Sequence, residues 1–492
     1  MSGMSMQHVQ AELHPDPARV IARLFLPGEE LRPGRSRAGA VVNRVLALPE
    51  EEVEALAARL TTEFSGRHRN YLDLLHENAS RVSSHLRKRA KLSPARTLVL
   101  GASFTAEYAV EAAALCNPSV VLAPDQGGLR KGQTRMAVSL RGIGEGHVSS
   151  LGFATAVVGP GPKWTFEPRA LPIVPGTSAP AHWRREHFRA VLSQQRRLDE
   201  LSHSVLASVP ETFTGLDLQH AIDAAHPDLV GRPAGLATVD VLRQLVFSTY
   251  EVSFPYDVEL SQQVLMPAAS EESNGMEDAR FVRFVSDDGA VEYRATYTAY
   301  DGRHIAPRLL TSPDLRVFQA HRLAGPAARN KGMALFPRLV GGRHLALCRS
   351  DGESTSLASS ADGFVWSKPE LVQAPAASWE VLQVGNCGPP LETAEGWLVL
   401  THGVGPMRTY AIGAMLLDLD EPTKVLRHLE RPLLETAPDE RNGYVPNVVY
   451  SCGGVLHDGR LWLPYGIGDA RIGVAWASLD ELLGEMVSPA RS

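Results

Sequence analysis

The polar residues of this chain that are equipped for chemistry gather where apolar runs end. Glu277-Asp278 lies in Asn274-Gly-Met-Glu-Asp-Ala-Arg280, immediately before the run Phe281-Val-Arg-Phe284. Paired carboxylates at such a place can raise one another's proton affinity into the range of a general acid, although the same pair in an ordinary turn is simply solvated. Arg329-Asn330-Lys331 precedes Met333-Ala-Leu-Phe336, Arg349 closes Leu345-Ala-Leu-Cys348, and Thr401-His402-Gly403 closes Trp397-Leu-Val-Leu400. A charged residue at the end of an apolar strand either snorkels to solvent or points into a polar cavity. Singly each fits a structural role, but strand ends directed toward a shared axis can line one site.

Other chemistries find no support. Gly142-Ile-Gly144-Glu-Gly146 lacks the glycine spacing of a dinucleotide fingerprint and runs into strand-like alternation from Val148 to Val158, and Gly466-Ile-Gly468-Asp469 is likewise flanked by strands. No GxxxxGKS/T, HExxH or GxSxG occurs. Cys116, Cys348, Cys387 and Cys452 form no CxxC and read as buried free thiols rather than metal ligands. Among 492 residues 44% are hydrophobic and 21% charged, with a net charge of −6 and no long run of either sign. That composition excludes a disordered chain, a collagen and a disulfide scaffold, and it gives no surface for nucleic acid or an anionic membrane. No stretch approaches the ~18–20 apolar residues of a membrane helix, and the start lacks a basic segment followed by an apolar one. A cytoplasmic protein is expected.

The elements that must position these residues are mainly strands. Pro49 suits a first helical turn, and Val53, Leu56, Ala57, Leu60 and Phe64 then keep the spacing of one buried helical face, which predicts helix from 49 to about 88. Thr97 to Leu100, Ser119 to Leu122 and Met136 to Leu140 read as strands, and a second helical block runs from near Ala181 to about 248. From about 280 onward the chain is short strand and turn. Four segments follow: an N-terminal helical segment (1–95), a first β part (96–180), a helical insertion (181–250) and a second β part (251–492). Ser312-Pro-Asp314, Ser360-Ala-Asp362 and Ser478-Leu-Asp480 each follow a strand. The first two lie roughly 50 residues apart, near the period of a four-stranded propeller blade.

In order along the chain, Asn117-Pro-Ser119, the strand-end Arg141, Gly275-Met-Glu-Asp-Ala-Arg280, Asn330-Lys331 with Leu335-Phe-Pro337, Gly396-Trp-Leu with His402-Gly-Val404, Leu416-Leu-Asp418 and Tyr465-Gly-Ile-Gly-Asp469 resemble glycoside hydrolase family 130. That family comprises inverting β-mannoside phosphorylases and related hydrolases. The resemblance implies a mainly β fold, a five-bladed β-propeller, carrying the helical segment and the helical insertion as additions. It implies that Asp278, with Ala279 in place of the usual proline, is the single carboxylic acid and protonates the leaving oxygen, in some members through the mannosyl 3-hydroxyl. Phosphate would attack from the opposite face and give α-mannose 1-phosphate and a free acceptor. An inverting hydrolase needs a second carboxylate to activate water, whereas phosphate is already nucleophilic and needs cations to hold it. The resemblance assigns that task to Arg329, Arg349 and His402, with Asn330 and Tyr410 beside them, and places Asn117, Arg141, Lys331 and Asp469 around the mannosyl unit. It calls on no metal or organic cofactor, only inorganic phosphate as co-substrate. The helical additions could cover an acceptor site, join subunits in a homo-oligomer or merely pack on the rim. A β-mannoside hydrolase and a non-catalytic sugar-binding propeller are the alternatives.

Overall fold

In the computed structural model, which describes residues 6–28, 30–32, 35–82 and 92–489, antiparallel strands dominate and fall into five successive units. The first is the meander Ala114–Leu122, Thr134–Ile143, Ser149–Val158 and Trp164–Phe166. The second runs Gly275–Val285, Val291–Tyr300, Ile305–Ser312 and Val317–Arg322. Ala334–Leu335, His344–Cys348, Thr355–Ser360 and Glu370–Gln373 make the third, and Gln383–Asn386, Gly396–Val404, Tyr410–Leu417 and Val425–His428 the fourth. Val449–Tyr450, Arg460–Ile467 and Arg471–Ser478 form the fifth, and its outer place is taken by the N-terminal strand Gln7–Leu13.

Alternation along these strands gives each unit two apolar faces, and neighbouring units bury them against each other. Phe153 meets Phe281 and Phe318 between the first and second units, and Val282 and Leu309 meet Met333, Ala346 and Trp366 between the second and third. Phe336 and Leu347 pack with Trp397 and Met415, then Leu400 and Ile412 with Leu463 and Ala475. Trp462 and Val474 of the fifth unit close on Val138 and Trp164 of the first. The backbone makes the same return, from Cys452 N–H to the Pro118 carbonyl at 2.8 Å. All four cysteines are free and buried.

Two of the three Ser-x-Asp units are one turn repeated. Ser312 and Ser360 each accept from the backbone N–H three residues on, while Asp314 and Asp362 each accept from the two N–H groups that follow. Ser478 is different: it caps the helix Leu479–Glu485, and Asp480 lies in the first turn, favourable for the helix dipole. A second repeat carries no obvious sequence flag. Ala269, Ala377 and Ala437 each stand three residues before a buried glutamate that accepts from their N–H.

The helical additions lie at 37–103 and 185–246. Thr97 to Leu100, expected as a strand, belongs instead to the helix Pro94–Ser103: Ser93 caps it, Pro94 occupies its first turn, and Val99 and Leu100 face the other N-terminal helices. Those helices are Arg37–Ala47, Glu50–Phe64 and Tyr71–Arg81. The expected helix beyond 82 falls on 83–91, outside the described residues. The insertion comprises Arg185–Gln194, Glu200–Ser208, Gly215–Asp223, Pro227–Val230 and Pro233–Val246, with a core of its own around Trp183, Phe188 and Leu242. His187 Nε2 joins it to the second unit through the Arg322 carbonyl at 2.6 Å. Among the described residues no helix is long and apolar enough to cross a membrane.

Glu272 is the most deeply buried of the repeated glutamates, fully enclosed beside Arg308 at 3.3 Å and bonded by Tyr250 and Tyr297. Glu272→Ala would leave the buried Arg308 guanidinium to the more distant Glu271 carboxylate at 3.5 Å and two tyrosine hydroxyls without their acceptor, so thermal unfolding should show a loss of about 3–5 kcal/mol.

Candidate active site

Four of the candidate residues sit in backbone that only asparagine, aspartate and glycine visit readily. Asn117, Asp278, Asn330 and Asp469 have φ of 50°, 56°, 61° and 47°. For Asn117 and Asp278 the cause is a bulge, since the register slips between Cys116 and Ser119 and again between Glu277 and Arg280. Arg280 holds the second bulge in place: its Nη1 donates to the Asp278 carbonyl at 2.8 Å, its Nε to the Cys387 carbonyl at 2.9 Å, and its Nη2 to Tyr450 Oη at 2.8 Å.

The two bulges meet. Asn117 Nδ2 donates to Asp278 Oδ1 at 2.5 Å, and Arg141 Nη1 reaches the same oxygen at 3.1 Å. Arg141 also donates to Glu277 Oε1 at 2.6 Å and to Ser149 Oγ at 2.9 Å, while Lys331 Nζ takes the other Glu277 oxygen at 2.5 Å. Burial alone would push the Asp278 carboxyl up, but Arg141, Lys331, Arg280 and the Asn117 hydrogen bond outweigh it and hold the group well below the usual carboxylate range. The expectation that the neighbouring carboxylate raises the proton affinity of Asp278 into the range of a general acid is therefore corrected: the surrounding cations lower it. Asp469 behaves in the opposite way. Burial lifts it to about 6 despite Arg141, with the Asp278 charge adding to the rise.

A second cluster stands beside the first. Arg349 Nη1 donates to His402 Nε2 at 2.9 Å, Tyr410 stacks on the imidazole at 6.2 Å between centroids, and Tyr450 meets it edge-on at 4.9 Å. Burial, then the charges of Arg349 and Arg280, push His402 well below its ordinary value. His402 is consequently a neutral ring that orients Arg349, not the cation that its place in the resemblance suggested. Gly385 makes room for the pair, because a Cβ there would lie 2.7 Å from His402 Cε1 and 3.3 Å from Arg349 Nη1. Asn386 Nδ2 ties this cluster to the first through the Gly332 carbonyl at 3.0 Å, and His402 senses the Asp278 charge. Arg329 is exposed and, among the described residues, its side chain has no hydrogen bond or ion pair. The geometry thus gathers Asn117, Arg141, Asp278, Lys331 and Asp469, sets Arg349, His402 and Tyr410 alongside, and leaves Arg329 at the edge.

Several participants carried no assigned role in the sequence. Arg280 and Glu277 lay inside a quoted motif, whereas Tyr450, Asn386 and Arg408, which acts electrostatically on Asp469, had no flag at all. Arg141 and His402 do share one: each stands three residues before a glycine, 144 or 405, that opens a hairpin loop with left-handed residues at 146–147 and 407–408.

The family model described as β-1,4-mannooligosaccharide phosphorylase matches residues 251–487. The chain is 33% identical to a 1,2-β-oligomannan phosphorylase of Thermoanaerobacter sp. strain X514 over 46% of this chain and 75% of that one. It is also 33% identical to a β-1,2-mannobiose phosphorylase of the same organism, over 43% and 70% of the two chains. A solved β-1,2-mannobiose phosphorylase from Listeria innocua superposes with a TM-score of 0.44 at 20% identity, covering 77% of this chain and 92% of that one. The chain belongs to glycoside hydrolase family 130. The family match begins at 251, so Asn117 and Arg141 lie outside it, yet both hydrogen-bond to Asp278.

Because folding raises the Asp469 proton affinity, stability should fall as pH rises from about 4 through about 6, as the buried group is forced to ionise. Asp469→Asn should flatten that slope in melting temperatures measured across the interval; an unaltered slope would clear Asp469 of the effect.

Proposed function

We propose that this protein is an inverting β-mannoside phosphorylase that reversibly converts a β-mannoside and inorganic phosphate into α-D-mannose 1-phosphate and a free acceptor sugar. The observation that carries the reading is a division of charge. Glu277 and Asp278 are matched by Arg141 and Lys331, whereas Arg349 faces only a neutral imidazole and Arg329 faces no carboxylate among the described residues. Uncompensated guanidinium beside a buried carboxyl suits a phosphate bound across a sugar from its acid, and the planar fork can hold two phosphate oxygens at once. Buried Asn117 Oδ1, Asp469 Oδ1 and Arg349 Nε lack protein partners, which favours a polyhydroxylated, anionic pair of ligands. In this reading the five units are the blades of a five-bladed β-propeller, supported by apolar contacts that pass from unit to unit and return to the first.

Asp278 is held as an anion by its cationic neighbours and must acquire a proton to act as the acid. Phosphate binding supplies the bias. Its negative charge opposes a second anion at Asp278 and so favours the protonated carboxyl, which makes proton and nucleophile linked events. The protonated carboxyl gives its proton to the departing oxygen, directly or through the mannosyl 3-hydroxyl, as the C1–O bond breaks and a phosphate oxygen bonds to C1 from the opposite face. Asn117 and Arg141 hold the carboxyl throughout, and Asp469 accepts from sugar hydroxyls. The cycle calls on no metal or organic cofactor, because phosphate brings its own nucleophilic oxygen. A cytoplasmic setting, where inorganic phosphate is available, fits the reaction.

Incubation with β-mannobiose should consume the disaccharide only when phosphate is present and release mannose 1-phosphate; mannose released equally without phosphate would mark a hydrolase instead. Asp278→Asn should lower phosphorolysis by about 10²–10⁴-fold without loss of fold. In Arg349→Ala the main change should be a raised KM for phosphate, measured against an unaltered KM for the mannoside.

A further inference from the structure

We infer that Tyr444 and His147 form the wall against which the acceptor sugar packs, an inference that rests on the phosphorylase reading. Tyr444 Oη and His147 Nδ1 are hydrogen-bonded at 2.8 Å, with ring centroids 5.9 Å apart, and both residues are exposed. Neither position is incidental to the site. His147 belongs to the loop that joins the Arg141 strand to the Ser149 strand, and it holds a left-handed φ of 61°, which fixes the direction in which its ring leaves the loop. Tyr444 belongs to the 441–447 segment, which is locked against the turn before Asp469: Val445 N–H donates to the Gly468 carbonyl at 2.9 Å, and a Cβ on Gly443 would lie 2.2 Å from that oxygen.

The rings therefore stand at the rim beside two residues that read the mannosyl unit, Arg141 and Asp469. Arg408, the counterpart of His147 in the fourth unit, sits on the next loop, exposed and attracted to Asp469. An exposed aromatic face bordered by hydroxyl-binding groups fits a second pyranose, whose C–H face packs on the ring while its hydroxyls meet the polar edge.

The test is synthesis from α-mannose 1-phosphate with the best acceptor among mannose, glucose and mannobiose, together with calorimetric titration of β-1,2-mannobiose into wild type, Tyr444→Ala and Tyr444→Phe. Tyr444→Ala should raise the acceptor KM by about three- to tenfold, the effect of losing one aromatic contact, with the KM for mannose 1-phosphate nearly unchanged. Tyr444→Phe, which keeps the ring and loses the bond to His147, should stay within about twofold of wild type. An acceptor KM unchanged in Tyr444→Ala, a Phe variant as impaired as the Ala variant, or both KM values rising together would overturn the assignment. Should wild type show no turnover, the phosphorylase reading falls and binding alone decides: weaker mannobiose binding in Tyr444→Ala keeps the wall, and equal or absent binding removes it.

Discussion

Two adjacent carboxylates, Glu277 and Asp278, are buried at the end of one strand, and the surrounding structure is arranged to make that tolerable. Buried anions survive only when cations and donors meet them with good geometry. Arg141 answers both, Lys331 answers Glu277, and Asn117 and Arg280 hold the bulge that turns Asp278 out of the ladder. The first three come from the first unit and the entry to the third, so Asp278 is held in this way only when three units are in contact. Chemistry and fold are one problem at this point.

Several of the longer strands from 291 onward were legible because short apolar runs bounded by glycine, proline and aspartate have few alternatives. Thr97 to Leu100 shows the limit: four apolar residues fit a strand or a buried helical turn equally, and the Ser93-Pro94 cap decided for helix. The same applies to Ser478, whose Ser-x-Asp spelling matches two turns but whose following Leu-x-x-Leu-Leu carries a helix. Asp278, Arg141, Asn117 and Lys331 were readable through an ordered set of motifs. Their electrostatics were not, because proton affinity depends on which charges come within a few ångströms. The neutrality of His402 illustrates this, since burial and then the charges of Arg349 and Arg280, both distant in sequence, act on the ring only once the chain is folded.

Repetition explains how one architecture produced several distinct groups. Arg141 and His402 occupy corresponding places before similar loops, yet one binds a carboxylate and the other orients an arginine. The scaffold supplies the positions and each unit fills them separately. Gly385 is part of that filling, since its missing side chain is the space in which Arg349 and His402 meet.

The pairing of Gln7–Leu13 with Arg471–Ser478 has a consequence for how the molecule comes into being. The unit that carries Asp469 is stitched from segments that lie far apart in the sequence. While the ribosome is still working, the early strand has an unsatisfied edge and the first unit has no neighbour on one side. Closure of this unit must therefore wait until residues 471–478 have emerged, and a nascent chain halted before residue 471 would leave Gln7–Leu13 without its partner strand.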